Sequence, residues 1–184
     1  MADLLHLWHG EHAKFARLLD LLEKELRVFH DGGQPDYELM TDIVRYLTEY
    51  ADAFHHPRED LGFERLKKKD PSMVLRVNRL MQEHRVLGEA GRQLMDRLSV
   101  VETEVVTPRG DVEAAAATYL LYYRQHINFE EAEILPRIAQ IFTVDDWAAV
   151  TAVKGHGGDP LFGEHADDRF IALRRRIAEE VAAH

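Results

Sequence analysis

The sequence predicts an all-α protein, an up-down-up-down four-helix bundle with a short C-terminal helical appendage. Strand signals are nearly absent, and apolar residues recur at alternating steps of three and four, which is typical of helices that pack in a bundle. Short breaks with glycine or proline separate four long patterns of this kind, so consecutive helices are expected to run antiparallel. The 184 residues fit one domain, 1–184, with the bundle at about 3–141 and the appendage at about 143–184.

The first two helices are predicted at about 3–29 and 36–67, each with one apolar stripe. Pro57 lies inside the second pattern, and this helix is expected to kink because the proline ring clashes with the carbonyl group of Ala53. On an ideal helical wheel Glu59 falls at the edge of the apolar stripe, and the kink offers a way to turn its carboxylate inward.

The third and fourth helices are predicted at about 73–98 and 112–141. Beyond them, Thr143 followed by two aspartates has the pattern of a capped helix start and predicts a brief helix through Val150. An amphipathic pattern at 170–181 predicts the last helix.

Composition limits the classes of partner. The chain carries 23 Lys and Arg residues against 33 Asp and Glu residues, a formal net charge of -10. An acidic surface disfavours nucleic acid and anionic lipid, which both need a basic footprint. No apolar run approaches the ~20 residues of a membrane-spanning helix, and the first residues lack the pattern of an export signal. The sequence therefore predicts no nucleic-acid partner, no membrane association and a cytoplasmic location.

The chain contains 11 histidines and no cysteine. The lack of cysteine excludes disulfides, thiol catalysis and thiolate metal sites. Any bound metal must therefore be held by imidazole and carboxylate groups, which suit iron, manganese or zinc.

One histidine in each long helix is predicted at the same depth of the bundle. Helices advance about 1.5 Å per residue, and counting from the helix ends brings neighbouring histidines level to within about one turn. The four histidines are His12, His55, His84 and His126. A lone histidine in an apolar stripe is usually a hydrogen-bonded core residue, but four in one layer indicate a shared site.

Two of these histidines have a glutamate one turn later on the same helix face, Glu59 after His55 and Glu130 after His126. Such a pair alone is weak evidence, because 33 acidic residues among 184 positions give 11 histidines about two pairs by chance. A third pair, formed by His56 and the aspartate four residues later, is interpreted as chance. Four imidazoles and two carboxylates suit two cations better than one, since a carboxylate can bridge.

Each ligating imidazole also needs a partner on its second ring nitrogen. The sequence does not identify these partners. Tyr119, Tyr122 and Tyr123 lie one or two turns away, and Glu133 shares a face with Glu130 but suits a solvated role equally well.

The ordered set of residues resembles the hemerythrin-like (HHE cation-binding) domains over about residues 3–141. The resemblance is carried by His12, His55-His56-Pro57-Arg58-Glu59-Asp60, Glu83-His84, and His126-Ile127-Asn128-Phe129-Glu130-Glu131 with Pro136. It implies a non-haem centre of two iron ions, bridged by carboxylates and by an oxo or hydroxo group. The metal ligands that it implies are His12, His55, Glu59, His84, His126 and Glu130.

The resemblance also implies a protein that binds or senses a small molecule (O2, NO or peroxide) or iron, rather than an enzyme. Two alternatives stay open, a di-iron enzyme that scavenges peroxide or NO, and a structural helical module with adventitious metal. A ferritin-type site is disfavoured, because no histidine has a glutamate three residues before it. A homodimer is also left open.

Two positions depart from respiratory hemerythrins. Those proteins have a second histidine one turn after the third-helix ligand, where this chain has Gly88. They end with an aspartate five residues after the last histidine, where this chain has Glu131 and a better match at Glu130. One ion should therefore have fewer protein ligands, which permits an external ligand and argues against reversible oxygen transport. Whether His56, His9 or a tyrosine completes the site is left open.

Overall fold

The structure is a computed structural model that describes residues 2–102, 109–152, 159–163 and 167–182, and these residues are all-α. The first two predicted helices correspond to α1 (Ala2–His30) and to a continuous run of α2 (Tyr37–Tyr46), a first π-helical segment (Leu47–His55) and α3 (His56–Lys69). After a 3-10 turn, the other two correspond to α4 (Val74–Glu102) and to a run of α5 (Arg109–Phe129), a second π-helical segment (Glu130–Ile134) and α6 (Leu135–Ile141).

The four long runs pack in a ring, in which α1 and α4 each contact both α2 and α5. The predicted all-α bundle is therefore confirmed. No helix in the described ranges combines the length and the apolar character needed to cross a bilayer.

The first π-helical segment ends just before Pro57 and shows how the chain accommodates this proline. The backbone N–H of His56 donates to the carbonyl five residues back, at Ala51, so a widened turn stands where the sequence predicts a proline kink. One extra residue in a turn rotates the later residues of the helix by about 100° relative to an uninterrupted α-helix. Glu59, which the ideal wheel places at the edge of the stripe, is fully buried.

The buried core is divided into two apolar clusters. The upper cluster includes Phe15 of α1 and Leu87 of α4, and the lower cluster includes Trp8 of α1 and Leu80 of α4. On both helices a predicted ligand lies between these residues, His12 on α1 and His84 on α4. The site therefore lies between two apolar clusters that limit its contact with water.

The appendage covers the bundle in two places. Helix α7 (Val144–Thr151) begins with the predicted cap, since Thr143 and Asp146 form a reciprocal capping box, and its Trp147 packs against Trp8 at 5.9 Å between ring centroids. The part described beyond it ends in α8 (Ile171–Ala182), which contacts α2. Both predicted short helices are therefore present.

A glycine marks the close approach of α4 to the first π-helical segment. A Cβ atom on Gly91 would lie 2.6 Å from Cγ2 of Thr48 and 3.3 Å from Cε2 of Tyr119. We expect Gly91→Ala to lower the free energy of unfolding by about 1–3 kcal/mol, because a methyl group there overpacks the interface. Urea denaturation of chelator-treated protein measures the change.

The matched control is Gly10→Ala on the exposed face of α1, where a Cβ atom would meet no described atom within 4 Å. This substitution should raise the free energy of unfolding by up to about 1 kcal/mol, since alanine favours helix. Equal effects of the two substitutions would contradict the predicted clash at Gly91.

Candidate metal centre

The structure places all six predicted ligands in one buried layer of the bundle. Every long helical run contributes, and each side chain belongs to a residue with 7% exposure or less. The residues are His12 of α1, His55 at the end of the first π-helical segment, Glu59 of α3, His84 of α4, His126 of α5 and Glu130 at the start of the second π-helical segment. Their role as metal ligands stays a prediction.

Glu59 lies among the inner nitrogens of three histidines. Its Oε1 atom is 3.3 Å from Nε2 of His12, and its Oε2 atom is 3.2 Å from Nε2 of His55. The same Oε2 atom is 3.7 Å from Nε2 of His84. This carboxylate therefore spans the distance between the α1 side and the α4 side of the layer.

Glu130 spans the layer in the same way. Its Oε2 atom lies 3.3 Å from Nε2 of His12, and its Oε1 atom lies 3.4 Å from Nε2 of His84 and 3.3 Å from Nε2 of His126. Each glutamate thus contacts histidines on both sides, which is the placement that a bridging carboxylate requires.

The two glutamates are buried without adequate partners. All four of their side-chain oxygens lack a hydrogen bond within the described ranges, and so do the Nε2 atoms of His84 and His126. Burying an ionised carboxylate in this way costs several kcal/mol unless a cation compensates it. The orphaned atoms converge on one another, so the residues present fit bound metal ions.

Three overlapping groups of residues each bring one ligand atom per residue within 4.8 Å of the others. The groups are His12–His55–Glu59, Glu59–His84–Glu130 and His56–His84–His126. Because the first and third groups share no residue, the layer offers donors for two cations. Nitrogen and oxygen donors of this kind suit iron, manganese or zinc.

Each of the four predicted histidines directs its outer nitrogen, Nδ1, at a carboxylate outside the layer. The Nδ1 distances are 2.7 Å from His12 to Glu131, 2.8 Å from His55 to Glu11, 2.9 Å from His84 to Asp60 and 3.2 Å from His126 to Glu83. Since an ionised carboxylate only accepts hydrogen bonds, each Nδ1 carries a proton, and once Nε2 has lost any proton of its own its lone pair is left for a metal.

The sequence did not identify these outer carboxylates, although it contains a signal for them. Glu11, Glu83, Glu131 and Asp60 each adjoin a predicted ligand in the chain. Glu133, which shares a helix face with a predicted ligand, is instead 49% exposed and lies 3.6 Å from an arginine on α4. An outer carboxylate bonds a histidine on another helical run, so only the packing of the runs identifies its partner.

Glu11 differs from the other outer carboxylates in its burial. It is 1% exposed, whereas the side chains of Glu131, Asp60 and Glu83 are 27–35% exposed. Glu11 also accepts hydrogen bonds from the hydroxyl of Tyr50 at 2.6 Å and from Nη2 of Arg58 at 2.7 Å. The His55 side of the layer is therefore held by a buried ionic network.

His9, which the sequence left open as a ligand, lies at the surface. Its side chain is 42% exposed, and its Nδ1 atom contacts Glu131 at 2.6 Å. His9 therefore contacts Glu131, the outer carboxylate of His12, and lies outside the buried layer.

The buried charges shift one another's pKa values. Burial alone would lower the pKa of His12, but its outer carboxylate and Glu59 raise that pKa to about 10. The pKa of His84 rises to about 10 for the same reasons, with Glu130 as the inner carboxylate. Burial opposes ionisation of Glu59, yet contact with His55 holds the pKa of this carboxyl well below its usual range. In the absence of a cation, protonated histidines therefore balance the carboxylates.

His56 joins the layer, although the sequence interpreted its acidic pair as chance. The residue is 3% exposed, and its ring stacks on that of His84 with 4.2 Å between centroids. Asp60, the other member of that pair, bonds His84 instead. Burial and the neighbouring histidines lower the pKa of His56 well below its usual value, so its imidazole is neutral.

Comparison with known proteins identifies one family. The family model described as the Hemerythrin HHE cation binding domain matches residues 3–138. This span contains all six predicted ligands and the four outer carboxylates. No curated protein matches the chain significantly.

The raised pKa values of His12 and His84 predict that cation binding releases protons. Both residues should be protonated at pH 7.5 in protein from which a chelator has removed the metal (chelated protein), and each must lose a proton to bind a metal through Nε2. We expect release on the order of two protons per chain, measured by titration calorimetry of the chelated protein in buffers of different ionisation enthalpy.

The same shifts set the pH dependence of chelated protein. Since both folded pKa values lie above the ordinary 6.5, their stabilisation is complete below that pH and is lost as the pH rises through about 10. If the enthalpy of metal binding does not depend on the ionisation enthalpy of the buffer, no protons are released. That result would contradict both the predicted proton release and the raised pKa values from which the pH dependence follows.

Glu11 should matter more for stability than an outer carboxylate at the surface. We expect Glu11→Gln to lower the free energy of unfolding by about 3 kcal/mol, because it leaves Arg58 without its ionic partner. Glu131→Gln, whose side chain is 33% exposed, should cost about 1 kcal/mol or less. Denaturant unfolding of both chelated variants tests this order, and a larger loss for Glu131→Gln would refute it.

Proposed function

The chain belongs to the hemerythrin HHE cation-binding domain family, and on this premise we propose that it is a non-haem di-iron protein that binds or senses a small molecule. The small molecule is O2, NO or peroxide, or the protein senses iron itself. The net charge of -10 supports the further proposal that nucleic acid is not a partner. A cytoplasmic location, which the sequence predicts, is part of the same proposal.

One observation carries the proposal. Two fully buried glutamates, both without hydrogen bonds within the described part of the chain, lie between histidines from all four helical runs. A structural core would not retain two such carboxylates, because apolar residues of similar size would be less costly to bury. Two cations between the glutamates would compensate both charges.

Bound iron would supply a centre that binds a small molecule directly and exchanges electrons with it. The chain's own residues shape access to that centre. The ring of Phe15 packs 4.9 Å from that of His55, and the ring of Phe63 packs 5.9 Å from that of His84. A layer closed by apolar residues on both sides favours small uncharged molecules, since charged ones are costly to transfer from water.

The first test is the metal content of aerobically purified protein, determined by mass spectrometry together with its near-ultraviolet and visible absorption. We expect about two irons per chain and oxo-to-iron charge-transfer bands. No bound iron, with thermal stability unchanged on adding ferrous iron, would overturn the proposal. One tightly held zinc would favour the structural alternative.

A matched pair of variants links the iron to the buried layer. Glu130→Gln should lower iron binding to about one ion per chain or less, because it removes a charge that both ions share. Glu133→Gln, on the same helical run but 49% exposed, should leave the iron content unchanged. Equal iron content in the two variants would place the iron elsewhere.

Ligand titration then separates binding from catalysis. Saturable spectral changes with one small molecule at a fixed ratio to the di-iron centre would support a binding or sensing role. Steady turnover of peroxide or NO would instead favour the scavenging enzyme.

A further inference from the structure

We propose that His56 is a seventh metal ligand, which gives the ion between His84 and His126 a third imidazole. The proposal rests on the di-iron function above and adds to it a donor that neither the sequence nor the family match assigns. It is carried by three features of the structure: where His56 lies, which group its outer nitrogen faces, and what stands at position 88.

The position of His56 is that of a ligand. It is 3% exposed, and its ring lies 4.2 Å from that of His84 and 5.5 Å from that of His126. One ligand atom from each of these three histidines lies within 4.8 Å of the others. The side chains of successive residues on a helix point about 100° apart, so His55 and His56 can bind different ions.

The outer nitrogen of His56 faces a carboxylate, as it does in the four predicted histidines. Nδ1 lies 3.1 Å from Oδ1 of Asp52, one turn earlier in the first π-helical segment, although outside hydrogen-bond geometry. Five histidines of the layer therefore each have a carboxylate oxygen beside Nδ1. A histidine placed only to fill the core has no need of this arrangement.

Position 88 on α4 leaves room for this carboxylate. A Cβ atom on Gly88 would lie 3.4 Å from Oδ2 of Asp52, which is an ordinary contact distance, so the side chain of Asp52 lies directly against the glycine. Helix α4 also carries His84, so the glycine lets the outer carboxylate of His56 lie close to the helix that supplies the neighbouring imidazole.

With His56 as a ligand, the two halves of the centre would be unequal. His56, His84 and His126 would give three imidazoles to one ion, while His12 and His55 would give two to the other. Since Glu59 and Glu130 each lie near histidines of both groups, the ion between His12 and His55 would have fewer protein donors.

Tyr123 is the competing candidate for completing the site. Its hydroxyl is buried without a hydrogen-bond partner in the described ranges, and its ring lies 6.0 Å from that of His56. His56 has the outer carboxylate that the other histidines of the layer have, whereas a phenol has no second donor atom for such a partner, which favours His56.

The test compares His56→Gln, Asp52→Asn and Tyr123→Phe with the unmodified chain. Iron per chain is measured by mass spectrometry, and the affinity of each ion by competition with a chelator. We expect His56→Gln to weaken one of the two ions by about 100-fold or more, Asp52→Asn to weaken it by about 10- to 100-fold, and Tyr123→Phe to change neither.

Urea unfolding of the chelated variants gives a second readout, because a purely structural role for His56 would lower stability without a selective loss of one ion. X-ray absorption of the unmodified iron-loaded protein needs no variant and should give five imidazoles for two ions. Four imidazoles, or two ions held with unchanged affinity by His56→Gln, would overturn the proposal, and so would loss of one ion in Tyr123→Phe. Absence of iron from the unmodified protein would instead refute the di-iron function itself.

Discussion

Two glutamate side chains at the centre of a helical bundle are the constraint on which the rest of this structure depends. Glu59 and Glu130 are fully buried, and burying such charges costs more than any single apolar contact returns. The layer therefore surrounds them with imidazoles, whose charge can be supplied by protons or replaced by metal ions. The fit to cations results from this requirement, and the inner carboxylates together with the outer ones, Glu131 and Asp60, raise the pKa values of His12 and His84.

The outer carboxylates fix the helices relative to one another. Glu11 on α1 bonds His55 of the next run, Asp60 on α3 bonds His84 on α4, Glu83 on α4 bonds His126 on α5, and Glu131 after α5 bonds His12 on α1. The contacts close a ring around the bundle. Each helical run takes part in two of these hydrogen bonds, one through its histidine and one through its carboxylate. A shift of one run along its axis would break both, so the register of the bundle and the orientation of the imidazoles depend on each other.

Sequence reasoning succeeded where periodicity alone decides the answer. Apolar spacing located the helices nearly to their observed ends, and counting residues from helix ends predicted that four histidines share a layer. It could not assign the outer carboxylates, since Glu83 adjoins His84 in the chain but bonds His126 in space. It also missed the π-helical segments. In a π-helical turn each N–H bonds the carbonyl five residues back instead of four, which changes the helix face only after the turn, so the apolar pattern before the turn does not predict it.

Both π-helical segments lie where a helical run passes from the upper to the lower apolar cluster, a position that the nearby prolines alone do not explain. In the second run, the residues before the segment pack into the upper cluster and Phe63 and Leu66 after it pack into the lower one. In the fourth run, Tyr123 and Ile127 precede the segment in the upper cluster, and Ile138 lies beyond it in the lower one. Helices α1 and α4 also reach both clusters, but they do so without a π-helical turn and supply only a histidine to the layer. The two runs with a π-helical turn are the ones that supply both a histidine and a glutamate, and in each of them the extra residue rotates the helix between the two clusters.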